Sequence, residues 1–236
     1  MKFANELQGN HTNDINTRRE FRLKDPGSAI THFIGVLAVI ISAPALFIRA
    51  FSMPGHIHSV AMILFTAGEL LLYSASTIYH SLDISESVNL RLRKIDHMMI
   101  YMLIAGTYSP VCLIALKEHN GLILFTVIWI IALIGIFQAL FLIHCPKWVS
   151  SIIYVIMGWL CIFAMKDIVN VLPKAAFAWL LAGGIIYTVG AVIYALKLPV
   201  FNRIHKNFGS HEIFHLFCLG GTFCHYMLMF NYLSIM

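Results

Sequence analysis

Residues 121–143 read GLILFTVIWIIALIGIFQALFLI and contain no charged side chain. At 1.5 Å per residue, a helix of this length crosses the roughly 30 Å hydrocarbon core of a bilayer. Lipid offers no hydrogen-bond partner to an open backbone, so a segment of this composition is expected to cross as an α-helix. The stretch therefore predicts a transmembrane helix.

Six further apolar stretches of similar length lie on either side of this one. Of the 236 residues, 59% are hydrophobic and 11% are charged, which excludes an ordinary water-soluble domain and a disordered chain. The sequence predicts an all-α integral membrane protein, a seven-transmembrane helical bundle at residues 28–236 preceded by a segment at residues 1–27. The predicted spans are Ala29–Ile48, Ile57–Tyr79, His97–Leu116, Gly121–Ile143, Trp148–Met165, Ala175–Leu196 and His211–Tyr232.

Lys and Arg are distributed unevenly over the predicted connections. With the N-terminus in the cytoplasm, twelve of the 16 fall in cytoplasmic segments. This asymmetry predicts a cytoplasmic N-terminal segment and an external C-terminus. Topology and attraction to anionic lipid headgroups then explain the formal net charge of +5, so no nucleic-acid partner is expected.

Five polar residues stand out in or beside the apolar stretches, because a charge at the middle of a bilayer costs about 3 kcal/mol. Ser76 and His80 lie one turn apart at the end of the second span, and His211 and His215 open the seventh. The third span is expected to begin near Asp96. The predicted topology places all three helix ends on the cytoplasmic side, so we expect these side chains to meet there.

The spacing of the histidines predicts a metal site. His211 and His215, at positions i and i+4, project from one helical face and can chelate one divalent cation. His80 is the expected third ligand, which leaves an open fourth position as in catalytic zinc sites. Asp96 is then expected beside the metal, and Ser76 is expected to bond a ligand or a substrate carbonyl. For any one histidine alone, an interhelical hydrogen bond is the alternative.

Residues 211–215, HEIFH, also match the HExxH motif of metalloproteases, in which the glutamate acts as a base. An intramembrane protease is therefore a further alternative. No acidic residue follows Glu212, and His225 lies about 15 Å beyond His215 along a helix, too far to share the ion. The third ligand must come from upstream, which disfavours the protease.

Three stretches resemble motifs of the hemolysin III family: STIYH at 76–80, Asp96 followed by IYMLIAGTYSP at 100–110, and HEIFH at 211–215. This family is the bacterial branch of the progestin and adipoQ receptor superfamily, and alkaline ceramidases are more distant relatives. The resemblance implies seven helices, a cytoplasmic N-terminus and zinc (Zn²⁺) held by His80, His211 and His215. It places Asp96 near the metal, matches Ser76 to the family's serine, and implies a bacterial inner (plasma) membrane location.

Zinc with three histidine ligands activates water and polarises a carbonyl. The expected function is a zinc-dependent hydrolase of a lipid amide or ester at the inner leaflet, resembling a ceramidase, with membrane lipid as substrate. Asp96 is expected to move the proton and Ser76 to orient the water or the oxyanion. One alternative is a lipid-responsive, receptor-like or membrane-homeostasis protein with structural zinc. A cytolysin, suggested by the family name, fits seven obligate spans poorly.

Overall fold

The computed structural model describes residues 23–141, 147–196 and 209–236. Within these ranges every regular element is helical and no strand occurs. The α-helices are α1 Pro26–Phe51, α2 Ile57–Ser81, α3 Glu86–Pro110, α4 Gly121–Phe141, α5 Lys147–Trp159, α6 Met165–Val171, α7 Lys174–Leu196 and α8 Ser210–Asn231.

Among the residues that the structure describes, seven helical segments are long and apolar enough to cross a membrane. Helix α3 continues through a π-helical turn, Val111–Ala115, and a 3₁₀ turn, Leu160–Ala164, joins α5 to α6 within the fifth span. Large apolar side chains on the outer surface, such as Phe163 at 85% exposure, face the surroundings as lipid-contacting residues do. The predicted seven-helix membrane fold is confirmed, and its orientation across the membrane stays a prediction.

The third span begins at Glu86, eleven residues before the predicted start at His97. The Ser85 side chain accepts a hydrogen bond from the Val88 N–H and caps the helix, whose first turns contain several charged and polar residues. A prediction from hydropathy alone places the start of a span at its first long apolar run, so it leaves out such turns. The expectation that the helix begins near Asp96 is therefore wrong, and Asp96 lies in its third turn.

The first helix also begins slightly earlier than the apolar pattern indicates. Pro26 occupies its first turn, where the missing N–H costs nothing, and Asp25 is the residue that precedes it. The last two residues of the predicted segment 1–27 thus belong to α1. Residues 1–22 of that segment lie outside the described part of the chain.

Helices α2 and α3 approach each other closely through two glycines. A Cβ on Gly68 would lie 2.6 Å from the Met102 carbonyl oxygen, and one on Gly106 would lie 2.6 Å from that of Leu64. At the end of the bundle opposite His80, an apolar cluster that includes Leu46, Phe65 and Leu228 joins α1, α2 and α8. Toward the His80 end, the buried polar side chains include those of Ser28, Ser76 and His215.

Gly68→Ala is expected to destabilise the bundle by about 1–3 kcal/mol, because the new methyl group meets a backbone oxygen that cannot move alone. The measurement is thermal unfolding of the purified protein in detergent. Gly184→Ala in α7 is the control, since no atom lies within 4 Å of its added Cβ, and alanine favours the helix. Equal melting temperatures for the two variants would contradict the close α2–α3 contact.

Candidate metal centre

Three histidine side chains from α2 and α8 converge at one end of the bundle. His80 lies in the last turn of α2, and His211 and His215 lie on one face of the first two turns of α8. The ring centroids are 4.9 Å apart for His80 and His211, 5.3 Å for His80 and His215, and 4.5 Å for His211 and His215. One ligand nitrogen from each ring lies within 4.8 Å of the others, so the group can hold a metal ion.

Hydrogen bonds fix the orientation of two of the three rings. His80 Nδ1 lies 3.0 Å from Asp25 Oδ2, and His215 Nδ1 lies 3.3 Å from the Ser28 carbonyl oxygen and 3.2 Å from Thr31 Oγ1. Because a carboxylate and a carbonyl oxygen only accept, both Nδ1 atoms carry the hydrogen. The Nε2 atom of each neutral ring then has a free lone pair, the state in which an imidazole binds a metal.

The donor atoms of the group match those that divalent transition metals prefer. His80 Nε2 and His211 Nε2 face each other at 3.1 Å, in a site where the His80 and His215 side chains are buried. Two lone pairs this close repel each other unless a proton or a cation lies between them. Three imidazole nitrogens suit zinc, copper, iron and nickel better than calcium or magnesium. The residues therefore fit a transition-metal ion, and the geometry does not distinguish among these metals.

Asp96 and Ser76 lie beside each other and are not part of the metal-holding group. Ser76 is one turn before His80 in α2 and is fully buried. Its hydroxyl lies beside the Asp96 carboxyl but forms no well-oriented hydrogen bond with any described residue. Asp96 is buried, with 8% of the residue exposed, and its Oδ2 lies 3.6 Å from His97 Nδ1.

Comparison with known proteins assigns the family. The profile of the family described as "Haemolysin-III related" matches residues 22–226, a range that contains all five residues singled out in the sequence. The chain belongs to the haemolysin-III family. The predicted resemblance is thus confirmed, and with the seven spans it identifies an integral membrane protein.

Three relatives show how far the similarity extends. "Hemolysin-3" of Bacillus cereus is 37% identical over 214 residues, which covers 89% of this chain and 92% of the relative. "Hemolysin-3 homolog" of Bacillus subtilis (strain 168) is 38% identical over 203 residues, covering 86% and 91%. "Adiponectin receptor protein" of Drosophila melanogaster is 24% identical over 209 residues, covering 82% of this chain and 46% of the relative, and it fits the wider superfamily.

In this haemolysin-III family protein, the glutamate of the HEIFH string faces α1. Glu212 Oε1 accepts a 2.6 Å hydrogen bond from Ser28 Oγ, and Glu212 Oε2 accepts one of 2.8 Å from the Gly209 N–H. The second bond caps the start of α8, as expected for an acidic side chain in a first helical turn. Both carboxylate oxygens are thus engaged, which favours a structural role over that of a catalytic base.

The first turns of α1 supply contacts that the sequence did not reveal. Asp25, Ser28 and Thr31 hold the histidine rings, and the His32 ring stacks on His215 with centroids 3.5 Å apart. An aspartate before a proline is typical of a helix N-cap. Because this local role already explains Asp25, the sequence gave no reason to assign it to the site. The available signal was the clustering of Asp, Ser, Thr and His at the start of an apolar span.

A second polar layer lies deeper in the bundle. The hydroxyls of Tyr73 and Tyr187 both lie within hydrogen-bond distance of Thr222 Oγ1, at 2.6 and 2.8 Å. Glu69 and His225 are buried, and Glu69 Oε1 and His225 Nδ1 have no hydrogen-bond partner among the described residues. Neither residue joins the three-histidine group.

His80→Ala and His211→Ala are each expected to remove bound metal, because two imidazoles hold an ion far less tightly than three. The measurement is elemental analysis of the protein purified without chelator. His119→Ala, at an exposed position after the third span, is the matched control and should retain the metal content of the natural protein. Equal metal content in all three variants would contradict the site.

Proposed function

We propose that this protein is a zinc-dependent hydrolase of a lipid amide or ester. The observation that carries the proposal is the group of three imidazoles, two of them buried, whose ligand nitrogens lie within 4.8 Å of one another. Three nitrogen donors with a free fourth position form the ligand set of catalytic zinc sites. Zinc bound by such a set lowers the pKa of a water molecule and polarises a carbonyl group, which is the chemistry of amide and ester hydrolysis.

His80, His211 and His215 hold the metal in this proposal, and two neighbouring side chains handle protons and orientation. Hydrolysis requires a proton to leave the attacking water and a proton to reach the departing amine or alcohol. The Asp96 carboxylate accepts the first on Oδ and delivers the second, as general acid–base residues do. The Ser76 hydroxyl, unpaired among the described residues, donates a hydrogen bond to the carbonyl oxygen of the substrate.

The surroundings of the site favour an amphipathic substrate. The histidines lie where membrane-spanning helices end, and exposed apolar residues of the same region, among them Ile78 and Ile95, can contact acyl chains. Arg91, exposed near the start of α3, can contact an anionic headgroup. Under the predicted orientation, a lipid of the inner leaflet reaches the site without leaving the membrane. The distant relation of the family to alkaline ceramidases makes a ceramide-like amide the first substrate to test, and the Bacillus relatives favour a bacterial plasma membrane.

A receptor-like protein with a structural metal is the second candidate. The specific observation in its favour is that α1 contacts two of the three histidines, so an ion would fasten α1, α2 and α8 together. Such a protein would respond to a bound lipid by moving these helices, with no chemical step. The two candidate functions predict different roles for Asp96. A hydrolase requires its carboxylate for turnover, whereas a receptor-like protein needs Asp96 only for packing.

Asp96→Asn is expected to keep zinc and to lower hydrolysis at least about a hundredfold, because an amide cannot transfer the proton. The measurement is product release from ceramide bearing a fluorescent acyl chain, in detergent–lipid micelles, with zinc content determined on the same sample. Asp83→Asn is the control, because it makes the same change at an exposed carboxylate, which accepts a hydrogen bond from Asn89 at the same end of the bundle. It should leave zinc content and hydrolysis unchanged.

Loss of zinc in Asp96→Asn, to the level of His211→Ala, would make Asp96 a metal ligand and contradict its proposed role. Unchanged hydrolysis in this variant would contradict the role as well. Hydrolysis by the natural protein that survives complete removal of the metal would contradict the zinc-dependent mechanism itself.

Glu212→Gln distinguishes this mechanism from the metalloprotease alternative. We expect zinc content to be unchanged and lipid hydrolysis to stay within about threefold, because both Glu212 oxygens serve as acceptors within the fold. A stability loss of about 0.5–1.5 kcal/mol is expected from the weakened hydrogen bonds. Complete loss of hydrolysis with zinc retained would make Glu212 the base and favour HExxH chemistry.

A further inference from the structure

Asp25 contacts His80 through both its backbone and its side chain. Its N–H donates a 2.9 Å hydrogen bond to the His80 carbonyl oxygen, and its Oδ2 lies 3.0 Å from His80 Nδ1. Its own carbonyl oxygen accepts from the Ala29 N–H and begins the hydrogen bonding of α1. Asp25 therefore joins the start of α1 to the end of α2 at His80, which is a candidate metal ligand.

The carboxylate of Asp25 does not cap helix α1, although Asp25 is the N-cap residue. An aspartate at the N-cap normally accepts hydrogen bonds from the amides of the first helical turn. Asp25 forms no such bond to α1, although it occupies the N-cap. It precedes Pro26, which disfavours helical backbone angles at Asp25, and its φ of -130° and ψ of 82° turn it away from the helix. Its carboxylate is thereby free to reach the imidazole of His80.

The charge of Asp25 gives this contact a chemical consequence. The carboxylate is 43% exposed, whereas the His80 side chain is 4% exposed, so the carboxylate keeps solvation while holding a buried ring. A carboxylate that accepts a bond from Nδ1–H fixes the tautomer and makes the opposite nitrogen a stronger electron donor. Here the opposite nitrogen is the Nε2 that faces His211 Nε2.

We propose that Asp25 is a positioning residue that sets the affinity of the site for its metal by orienting and polarising His80. The proposal rests on the proposed metal site but not on the identity of the substrate or on hydrolysis. His215 is held differently, since its Nδ1 faces the neutral Ser28 carbonyl and the Thr31 hydroxyl. Among the described residues, Asp25 thus supplies a negative charge that is hydrogen-bonded to a ligand imidazole.

The test measures the dissociation constant for Zn²⁺ of the full-length protein in detergent, by competition with a chromophoric chelator. Asp25→Ala is expected to weaken binding about 10- to 100-fold, the range found when outer partners of metal-ligating histidines are removed. Asp25→Asn keeps an acceptor oxygen but loses the charge, so its affinity should fall between those of Asp25→Ala and the natural protein. Asp25→Glu should recover part of the loss.

Two controls separate positioning from general destabilisation. Asp83→Asn removes an exposed carboxylate that contacts Asn89 instead of a histidine, and its affinity should match that of the natural protein. Thr31→Val leaves the Ser28 carbonyl oxygen to accept the hydrogen bond from His215 Nδ1. Its loss of Zn²⁺ affinity should therefore be smaller than that of Asp25→Ala. Bound Co²⁺ adds a spectroscopic readout, because its visible absorption should change in Asp25→Asn and stay unchanged in Asp83→Asn.

The outcomes distinguish failure of this inference from failure of the proposed function. If the natural protein binds Zn²⁺ and Asp25→Ala binds it within twofold, with an unchanged Co²⁺ spectrum, Asp25 has no positioning role while the metal site stands. If the natural protein binds neither ion, the metal site and this inference both fall. A lower melting temperature of the metal-free Asp25→Ala variant with unchanged affinity would assign Asp25 to packing alone and overturn the proposal.

Discussion

Three imidazole rings held within 4.5 to 5.3 Å of one another inside a helical bundle are the feature on which this structure depends. Polar groups in such a place are costly unless each is paired, and imidazoles that face one another need a proton or a cation between them. The Nδ1 atoms of His80 and His215 are paired with Asp25 and Ser28 at the start of α1, which leaves the Nε2 atoms of these two rings for an ion. The polar network thus connects α1, α2 and α8, which are far apart in the sequence.

The rest of the bundle makes this arrangement possible. Glycines at the α2–α3 contact bring Ser76 and Asp96 close together, since a larger residue at Gly68 or Gly106 would push the two backbones apart. Apolar residues fill the opposite end, and a layer of tyrosine and threonine hydroxyls lies between that end and the histidines. The three-histidine group lies where the membrane-spanning helices α2 and α8 end, so the proposed metal site would be within reach of a lipid carbonyl near one membrane surface. This position is the physical basis for linking the site to lipid hydrolysis.

Much of the fold follows from the sequence, because long apolar runs have one stable form in lipid. The spacing of His211 and His215, together with Lys and Arg counts, was enough to predict that His80 lies near them. The depth of Asp96 was not predictable in this way, because the polar first turns of α3 carry no hydropathy signal. Asp25 was missed for another reason: an Asp-Pro pair at a helix start already has a local explanation, and its contact with His80 depends on how α1 docks against α2. In the HEIFH string, Glu212 completes the HExxH pattern, while its oxygens accept hydrogen bonds from Ser28 and Gly209.

X-ray absorption spectroscopy at the zinc edge, on protein purified without added metal or chelator, tests the central claim most directly. The account predicts one zinc per chain with three imidazole nitrogens at about 2.0–2.1 Å and one further light-atom ligand. Sulfur at about 2.3 Å, or a spectrum of zinc bound with no imidazole, would contradict it. Absence of any transition metal from a folded preparation would contradict it as well.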